Sequence, residues 1–276
     1  MTPPADFTDW ALLDELTLLV SQASGAIMRV RAGGLSVHIK ADRSPVTGAD
    51  EAAEIIILDG LARILPGIAV ISEEATSRSA PPQAPETYIL VDPLDGTREF
   101  VEGRNEFTVN IALVHAGRPV SGIVGAPALD LIWRGVTSTG ADRLRLASGA
   151  GLNGISEKIF IRTTSHRDAP LRAMVSRSHL DMATETWLKR LSAVERMDCG
   201  SSLKFCRIAE GSADVYPRLG PTREWDIAAA DAVLTAAGGV VLTPEGVPLR
   251  YGRSSNLIIP SFIAWGDAAA AAHFDA

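Results

Sequence analysis

Residues 88–97 read YILVDPLDGT, and this stretch decides how the chain is expected to fold. A largely apolar run ends on Asp92, Pro93 and Gly96 favour a tight turn, and a second carboxylate, Asp95, lies within that turn. The pattern predicts a buried strand that brings two carboxylates to one place. Asp92 and Asp95 are equally well explained as turn formers or a helix cap, so this motif alone leaves two interpretations open.

Two other segments end in acids. Residues 68–71 read IAVI and lead into Glu73 and Glu74, which predicts a second short strand that ends on carboxylates. Asp226 follows Trp225 at the start of an alanine-rich helix. The first turn of a helix attracts a carboxylate on electrostatic grounds alone, so Asp226 taken singly is better explained as a cap.

Together, four of these acids offer a set of hard oxygen ligands, namely Glu73, Asp92, Asp95 and Asp226. They are sufficient for two Mg²⁺ ions, because each ion needs one or two carboxylates beside water and phosphate oxygens. The absence of His and Cys from the set disfavours Zn²⁺. Paired ions of this kind activate water and stabilise a phosphoryl group, so the predicted reaction is metal-dependent hydrolysis of a phosphate ester.

The residues after Asp95 support this chemistry. Gly96 and Thr97 are expected to begin a helix whose free N–H groups can hold a phosphate. If Asp50 approaches Thr97, the pair can orient a water for in-line attack, with Glu73 helping to accept its proton. Asp50 also lies three residues after Thr47 in a capping-box pattern. A capping role and a role in positioning water are therefore equally supported for Asp50.

The composition sets the broad class of protein. The chain has 276 residues, 46% of them hydrophobic, and a formal net charge of −7, which argues against disorder and against a partner that is a nucleic-acid polymer. Cys199 and Cys206 form no CxxC pair and are interpreted as reduced, buried packing residues. The N-terminus does not resemble a signal peptide and no membrane span is evident, so a cytoplasmic protein is expected.

Hydrophobic periodicity predicts two opening helices, at residues 8–31 and from Thr47 to the residue before Pro66. Short strands follow at 68–71, 88–91, 107–115, 120–126 and 131–134, with a polar, mobile loop expected at 76–86. Beyond a glycine-rich segment, the expected strands are 160–162, 173–176, 213–216 and 240–243, and the expected helices are 183–191, 202–210, 225–237 and 268–272. We therefore expect an α+β half, residues 1–155, followed by an α/β half, residues 156–276.

Three blocks in this order are highly specific: SEE at 72–74, DPLDGT at 92–97, and WDIAA at 225–229 with AGG at 237–239. They resemble the inositol monophosphatase superfamily. Its bacterial branch of CysQ-type 3'(2'),5'-bisphosphate nucleotidases is similar in further blocks, namely residues 40–50, 106–113, 176–179 and 200–206. The resemblance covers about residues 40–250.

The resemblance implies a layered α-β-α-β-α sandwich of the inositol monophosphatase and fructose-bisphosphatase type, dependence on two or three Mg²⁺ ions and inhibition by Li⁺. It implies that Asp50 and Thr97 position the water. It assigns the metal to Glu73, Asp92, the backbone carbonyl of Leu94, Asp95 and Asp226. The implied substrate is adenosine 3',5'-bisphosphate, a by-product of sulfur metabolism, which loses its 3'-phosphate to give AMP, and the sulfated precursor is a further candidate. The implied assembly is a monomer or homodimer.

The second phosphate of such a substrate needs cations and hydroxyls. The expected substrate contacts are Gly96, Thr97, His179, Ser201, Ser202, Lys204, Arg218 and Asp226, with Arg223 as a weaker candidate. His179 is also explained as a helix cap, and Ser201 or Ser202 as the cap of the helix that carries Lys204. An inositol or sugar phosphate remains the alternative substrate, and a non-catalytic nucleotide or metal sensor is the alternative from another class.

Overall fold

The computed structural model describes residues 4–34, 37–39, 45–78, 83–164, 170–191 and 193–272. Residues 40–44 of the family-like block, and residues 79–82 of the expected loop, lie outside this part of the chain.

Eight helices lie in the described residues, and all seven that the sequence predicts are among them within a few residues. Their bounds are α1 (Trp10–Gly33), α2 (Gly48–Ile64), α3 (Glu73–Arg78), α4 (Thr97–Val101), α5 (Met182–Leu188), α6 (Leu203–Ala209), α7 (Glu224–Ala236) and α8 (Ala268–Ala271). Asp9 caps α1, because its side chain accepts from Ala11 N at 2.9 Å. The prediction of a loop at 76–86 is wrong at its start, since Thr76 lies within α3. The Thr76 hydroxyl donates to Ser72 O and Glu73 O.

Nine strands precede residue 162 in the part of the chain that the structure describes. Their bounds are β1 (Val37–Ile39), β2 (Pro45–Thr47), β3 (Ala69–Ser72), β4 (Thr87–Asp95), β5 (Thr108–His115), β6 (Arg118–Ala126), β7 (Leu131–Val136), β8 (Gly140–Arg145) and β9 (Glu157–Ile161). β1 and β2 form a separate hairpin, and β3 to β9 form a seven-stranded sheet in sequence order. Only β3 and β4 are parallel within that sheet, so both strands deliver their carboxyl ends to the same edge.

Seven further strands follow. They are β10 (Leu171–Ser176), β11 (Val194–Cys199), β12 (Val215–Arg218), β13 (Thr222–Arg223), β14 (Val240–Leu242), β15 (Ile258–Ile259) and β16 (Phe262–Trp265). Five of them form a sheet in the order β11-β10-β12-β16-β14, and β13 pairs with β15. The sequence did not predict β1, β2, β8, β11, β13, β15 or β16, and it put the strand that forms β9 in the second half. β9 instead pairs with β8, which extends the first sheet past residue 155.

The alternating side chains of β4 show how the layers are built. Ile89 and Val91 pack in one core with α1 and α2, whereas Tyr88 and Leu90 pack in another with α6 and α7. Met174 of β10 joins this second core, and its neighbour Val175 packs on the opposite side of the second sheet with α5 and α8. The order is therefore helices, sheet, helices, sheet, helices, as expected for the α-β-α-β-α fold.

Among the described residues, α1 alone is long and apolar enough to span a membrane. Of its most apolar 18-residue stretch, 67% is buried inside the protein. Leu13, Leu16 and Val20 are fully buried in the core under the first sheet. Core packing therefore accounts for the apolar character of this helix.

A buried carboxylate on α7 makes stability depend on pH. Asp231 is 8% exposed and accepts from Tyr251 Oη at 2.8 Å and Thr235 Oγ1 at 3.0 Å. Burial raises the pKa of Asp231 to about 6, although these hydrogen bonds act to lower it. Because the folded pKa lies above the unfolded one, the contribution to stability is present below pH ~4 and is lost as pH rises through ~6.

We therefore expect the free energy of unfolding of the wild type, relative to Asp231→Asn, to fall by about 2 kcal/mol between pH 4 and pH 6 and to level off by about pH 7. Urea unfolding of both proteins from pH 4 to pH 8 measures this difference. Asp59→Asn, at an exposed position of α2, is the surface control and should show no such change. A difference between wild type and Asp231→Asn that stays constant across the range would contradict the prediction.

Candidate active site

One cavity of about 430 Å³ lies between the two halves of the chain. Its lining includes the carboxylates expected to bind metal and the residues expected to contact substrate: Glu73, Asp92, Leu94, Asp95, Gly96, Thr97, His179, Ser201, Ser202, Lys204, Arg218 and Asp226. Asp50 does not line the cavity itself but reaches it through Thr97. The fold therefore brings together in space residues that are far apart in sequence.

The carboxylates crowd one wall of this cavity. Asp92 is 1% exposed and accepts from Leu94 N at 3.0 Å, so it both shapes the turn and faces the site. Burial, followed by the charges of Glu73, Asp95 and Asp226, raises the pKa of Asp92 well above its usual value. Burial and the charge of Asp226 raise the pKa of Asp95 to about 7. A bound cation would offset this mutual repulsion.

Asp50 is a helix cap and a site residue at the same time. Its Oδ2 accepts from Thr47 N at 2.7 Å and Thr47 Oγ1 at 2.8 Å, which completes the capping box of α2. Its Oδ1 accepts from Thr97 Oγ1 at 3.1 Å. The two interpretations left open by the sequence are thus compatible, because each uses a different oxygen.

Asp226 combines two roles in the same way. Its Oδ2 accepts from Arg223 N at 3.1 Å and from the hydroxyl of Thr222, which fixes the first turn of α7. Its charge also raises the pKa values of Asp92 and Asp95, so it lies close to both. The capping contacts orient a carboxylate that lines the cavity.

Two expected substrate contacts have their side chains engaged elsewhere. The hydroxyl of Ser202 lies 2.9 Å from Asn110 Oδ1 and 2.8 Å from Thr108 Oγ1, both on β5. Lys204 is 2% exposed, and its Nζ donates to Ser201 O at 2.5 Å and Cys199 O at 3.3 Å. In this structure both side chains support the backbone around Ser201, and both residues also line the cavity, so their contact with substrate stays a prediction.

The cavity is also lined by a set of basic side chains, here called the cationic wall. Arg98, His179, Arg218 and Arg223 all line the cavity. His179 does not cap α5, since Asp181 takes that position and accepts from Thr184 N at 2.8 Å. Burial, then the charges of Arg218 and Arg98, lowers the pKa of His179, which makes it a neutral hydrogen-bonding group at pH 7.

Sequence reasoning missed two buried acids that support the site. Glu54 is 4% exposed and accepts from the hydroxyl of Ser72 and from Ala75 N, which holds the start of α3 beside Glu73. Glu99 is 3% exposed, lines the cavity and accepts from Ser178 Oγ. Glu54 had a detectable signal, because it interrupts the apolar face of α2.

The donor set fits Mg²⁺. The carboxylates and the Leu94 carbonyl provide oxygen ligands only, and three neighbouring carboxylates add to burial in raising the pKa of Asp92, so negative charge is concentrated here. Among the residues that the structure describes, no three His, Cys, Asp or Glu side chains form a cluster that holds an ion by itself. Mg²⁺ does not require such a cage, because it keeps several waters and uses one or two carboxylates together with substrate phosphates.

Comparison with known proteins agrees with this geometry. A sequence model of the inositol monophosphatase family matches residues 11–274. The 3'(2'),5'-bisphosphate nucleotidase CysQ of Escherichia coli strain K12 is 40% identical over 256 residues, which covers 91% of this chain and 98% of the relative. The same-named protein of Haemophilus influenzae is 31% identical over 258 residues and covers 93% of each chain.

Solved structures show the same fold. The crystal structure of CysQ from Bacteroides thetaiotaomicron has a TM-score of 0.75 and 35% identity, with 93% of this chain and 96% of that chain covered. The Thermotoga maritima IMPase has a TM-score of 0.74 at 22% identity, with 94% of each chain covered, and supports the fold alone.

Proposed function

Because the chain belongs to the inositol monophosphatase family, we propose that it is a Mg²⁺-dependent 3'(2'),5'-bisphosphate nucleotidase. It removes the 3'-phosphate of adenosine 3',5'-bisphosphate to leave AMP and phosphate, and accepts the sulfated nucleotide as a second substrate. Relatives of this name match over more than nine-tenths of the chain. The observation that carries the proposal is a cavity lined both by these carboxylates and by Arg98, His179 and Arg218.

The carboxylate wall would hold the ions. Glu73, Asp92, Asp95, Asp226 and the carbonyl of Leu94 are the proposed ligands, in numbers that serve two or three Mg²⁺ ions. Bound Mg²⁺ supplies Lewis-acid stabilisation of the phosphoryl oxygens. Burial of Asp92 keeps bulk water away from this wall, which strengthens each electrostatic contact with a phosphate.

Thr97 and Asp50 would position the attacking water. The Thr97 hydroxyl has one proton and two acceptors, Asp50 Oδ1 and Leu94 O, each at 3.1 Å. Donation to either acceptor leaves a lone pair of Oγ1 available for a proton of the water. Asp50 fixes the direction of that lone pair, and Glu73 lies in the same cavity to help accept the proton as the bond to phosphorus forms.

The cationic wall would select the substrate. A bisphosphate carries a second phosphate far from the bond that breaks, and Arg98, Arg218 and neutral His179 offer donors for it. The hydroxyl of Ser201 lines the same region. An inositol monophosphate has no second phosphate and would gain no contact with these donors, which lowers its affinity relative to the bisphosphate.

We expect adenosine 3',5'-bisphosphate to show a kcat/KM at least about tenfold above that of inositol 1-phosphate, since one phosphate contact to charged donors contributes about 1.5–3 kcal/mol. Phosphate release with Mg²⁺ measures both substrates, and AMP is the expected nucleotide product. Faster turnover of the inositol ester would assign the chain to the sugar-phosphate alternative. No release from either substrate would favour a sensor that binds without catalysis.

The two thiols support a structural role rather than a redox switch. Cys199 and Cys206 are free and buried. Burial raises the pKa of Cys199 to about 11 and that of Cys206 well above its usual value, so neither is a reactive thiolate near pH 7. Free buried thiols are consistent with the reducing cytoplasmic setting that we propose.

A further inference from the structure

A short turn of the second half lies against the carboxylate wall. Residues 200–202, here called the 200–202 turn, connect β11 to α6 and line the cavity through Ser201 and Ser202. Ser201 has a φ of +49°, a left-handed conformation that is unfavourable for a residue with a side chain. The turn therefore depends on contacts that hold it in this shape.

One such contact comes from Asp95. The backbone N–H of Ser202 donates to Asp95 Oδ2 at 2.6 Å, so the turn directly orients a carboxylate of the proposed metal site. On the other side of the turn, Lys204 Nζ donates to the carbonyl of Ser201 at 2.5 Å. Movement of the turn would thus move Asp95.

A second first-half carboxylate holds the same turn. Glu106 Oε2 accepts from Gly200 N at 2.8 Å. Arg177, which follows β10, binds both carboxylate oxygens of Glu106 through Nε and Nη2, each at 2.9 Å. Glu106 therefore ties the ends of β10 and β11 to the first half. No part of the proposed chemistry uses Glu106, and it does not line the cavity.

The packing leaves the turn little freedom to shift towards Glu106. A Cβ added at Gly200 would lie 2.7 Å from the backbone oxygen of Glu106 and 2.8 Å from Glu99 Cγ. A Cβ added at Gly96 would lie 2.9 Å from the same Glu106 oxygen and 3.3 Å from Ser201 Cβ. The backbone at Glu106 is thus closely packed between two turns. One is the turn at Gly96, next to Asp95, and the other is the 200–202 turn.

We infer that Glu106 is a positioning residue of the phosphatase site: its carboxylate holds the 200–202 turn so that Ser202 N–H keeps Asp95 in its working orientation. This inference rests on the proposed function for its effect on catalysis, but its effect on the turn stands on the contacts alone. Arg177 acts through Glu106, because its bidentate contact fixes the carboxylate that receives Gly200 N–H.

A comparable ion pair provides a matched control. Glu185 is 29% exposed in its side chain, against 27% for Glu106, and Arg196 Nη1 lies 3.0 and 2.8 Å from its two oxygens. This pair joins α5 to β11 at the surface and does not line the cavity. Loss of either ion pair should change stability by a similar, small amount, so a difference in activity would come from the turn.

We expect Glu106→Ala to lower kcat on the bisphosphate by about 10- to 100-fold, the range typical of residues that orient metal ligands. Glu106→Gln keeps an oxygen for Gly200 N–H and should lose less than Glu106→Ala. Glu185→Ala should keep kcat within about twofold of the wild type, because it removes an ion pair but no contact with the 200–202 turn. Steady-state kinetics and thermal melts of the three variants measure these effects.

Amide hydrogen exchange provides a readout that needs no activity. Peptides covering residues 199–206 should exchange faster in Glu106→Ala than in the wild type, because Gly200 N–H and Ser202 N–H lose protection. In Glu185→Ala the exchange rate of these peptides should be unchanged. Unchanged exchange in Glu106→Ala would overturn the inference, as would faster exchange with full kcat. If the wild type released no phosphate, the proposed function would fail and the exchange result would still decide whether Glu106 holds the turn.

Discussion

Asp95→Asn is expected to abolish phosphate release, with a loss in kcat of about 10³-fold or more, because it removes one charge from a shared metal site that stabilises the transferring phosphoryl group. The fold should persist. Asparagine keeps an oxygen that can accept from Ser202 N, and loss of the charge removes the burial cost and the repulsion from Asp226 that together raise the pKa of Asp95 to about 7. The melting temperature in EDTA should therefore equal or exceed that of the wild type.

Mg²⁺ separates this prediction from simple destabilisation. An ion that binds only the folded state raises the melting temperature, so Mg²⁺ should stabilise the wild type more than Asp95→Asn. Asp231→Asn is the matched control, since Asp231 is also a buried carboxylate but does not line the cavity. Its kcat and its response to Mg²⁺ should match the wild type. More than a tenth of wild-type kcat in Asp95→Asn would contradict the assignment of Asp95 to the metal site.

The second large effect is expected for Thr97→Val, which should lower kcat by about 10²- to 10³-fold and leave KM within about threefold, the pattern for loss of a group that acts on the proton of the nucleophile. Valine fills the same space but cannot donate to Asp50 Oδ1 or accept from a water. Stabilisation by Mg²⁺ should remain, because the proposed carboxylate ligands are untouched.

Thr97→Ser is the control for this prediction, since it keeps the hydroxyl and should retain activity within about tenfold. Asp50→Asn is a poorer test, because it also disturbs the capping box of α2, whose loss costs about 1 kcal/mol. Equal losses in Thr97→Ser and Thr97→Val would point to packing rather than to the hydroxyl. Wild-type kcat in Thr97→Val would remove Thr97 from the mechanism.

Local signals were sufficient to predict much of the fold. The opening helices and the strands of the first sheet up to β7 follow from apolar spacing, because each buries a face whose period is visible over a few residues. The capping pattern of Thr47 and Asp50 is present as expected. The sequence did not predict the strands β8, β11 and β16, whose burial depends on which sheet the strand joins rather than on its own sequence.

The roles of Asp50 and Asp226 were difficult to assign from neighbouring residues alone. The sequence posed capping and site roles for Asp50 and Asp226 as alternatives, whereas each carboxylate has two oxygens and directs Oδ2 to its own helix. Which group approaches the rest of the carboxylate depends on other elements of the fold. For Asp50 that group is Thr97, 47 residues away.

By itself, the sequence determined the class of chemistry: strands that end in carboxylates, a turn that carries Asp95 and Thr97, and an oxygen-only ligand set can be identified from neighbouring residues. Only the tertiary structure decided how the two halves meet. Ser202 N–H and Gly200 N–H reach Asp95 and Glu106 across 107 and 94 residues, and Lys204, at the cavity, donates to the backbone carbonyl of Ser201. Contacts between residues so far apart produce no periodic pattern in the sequence. Such patterns report only which face of a single helix or strand is buried.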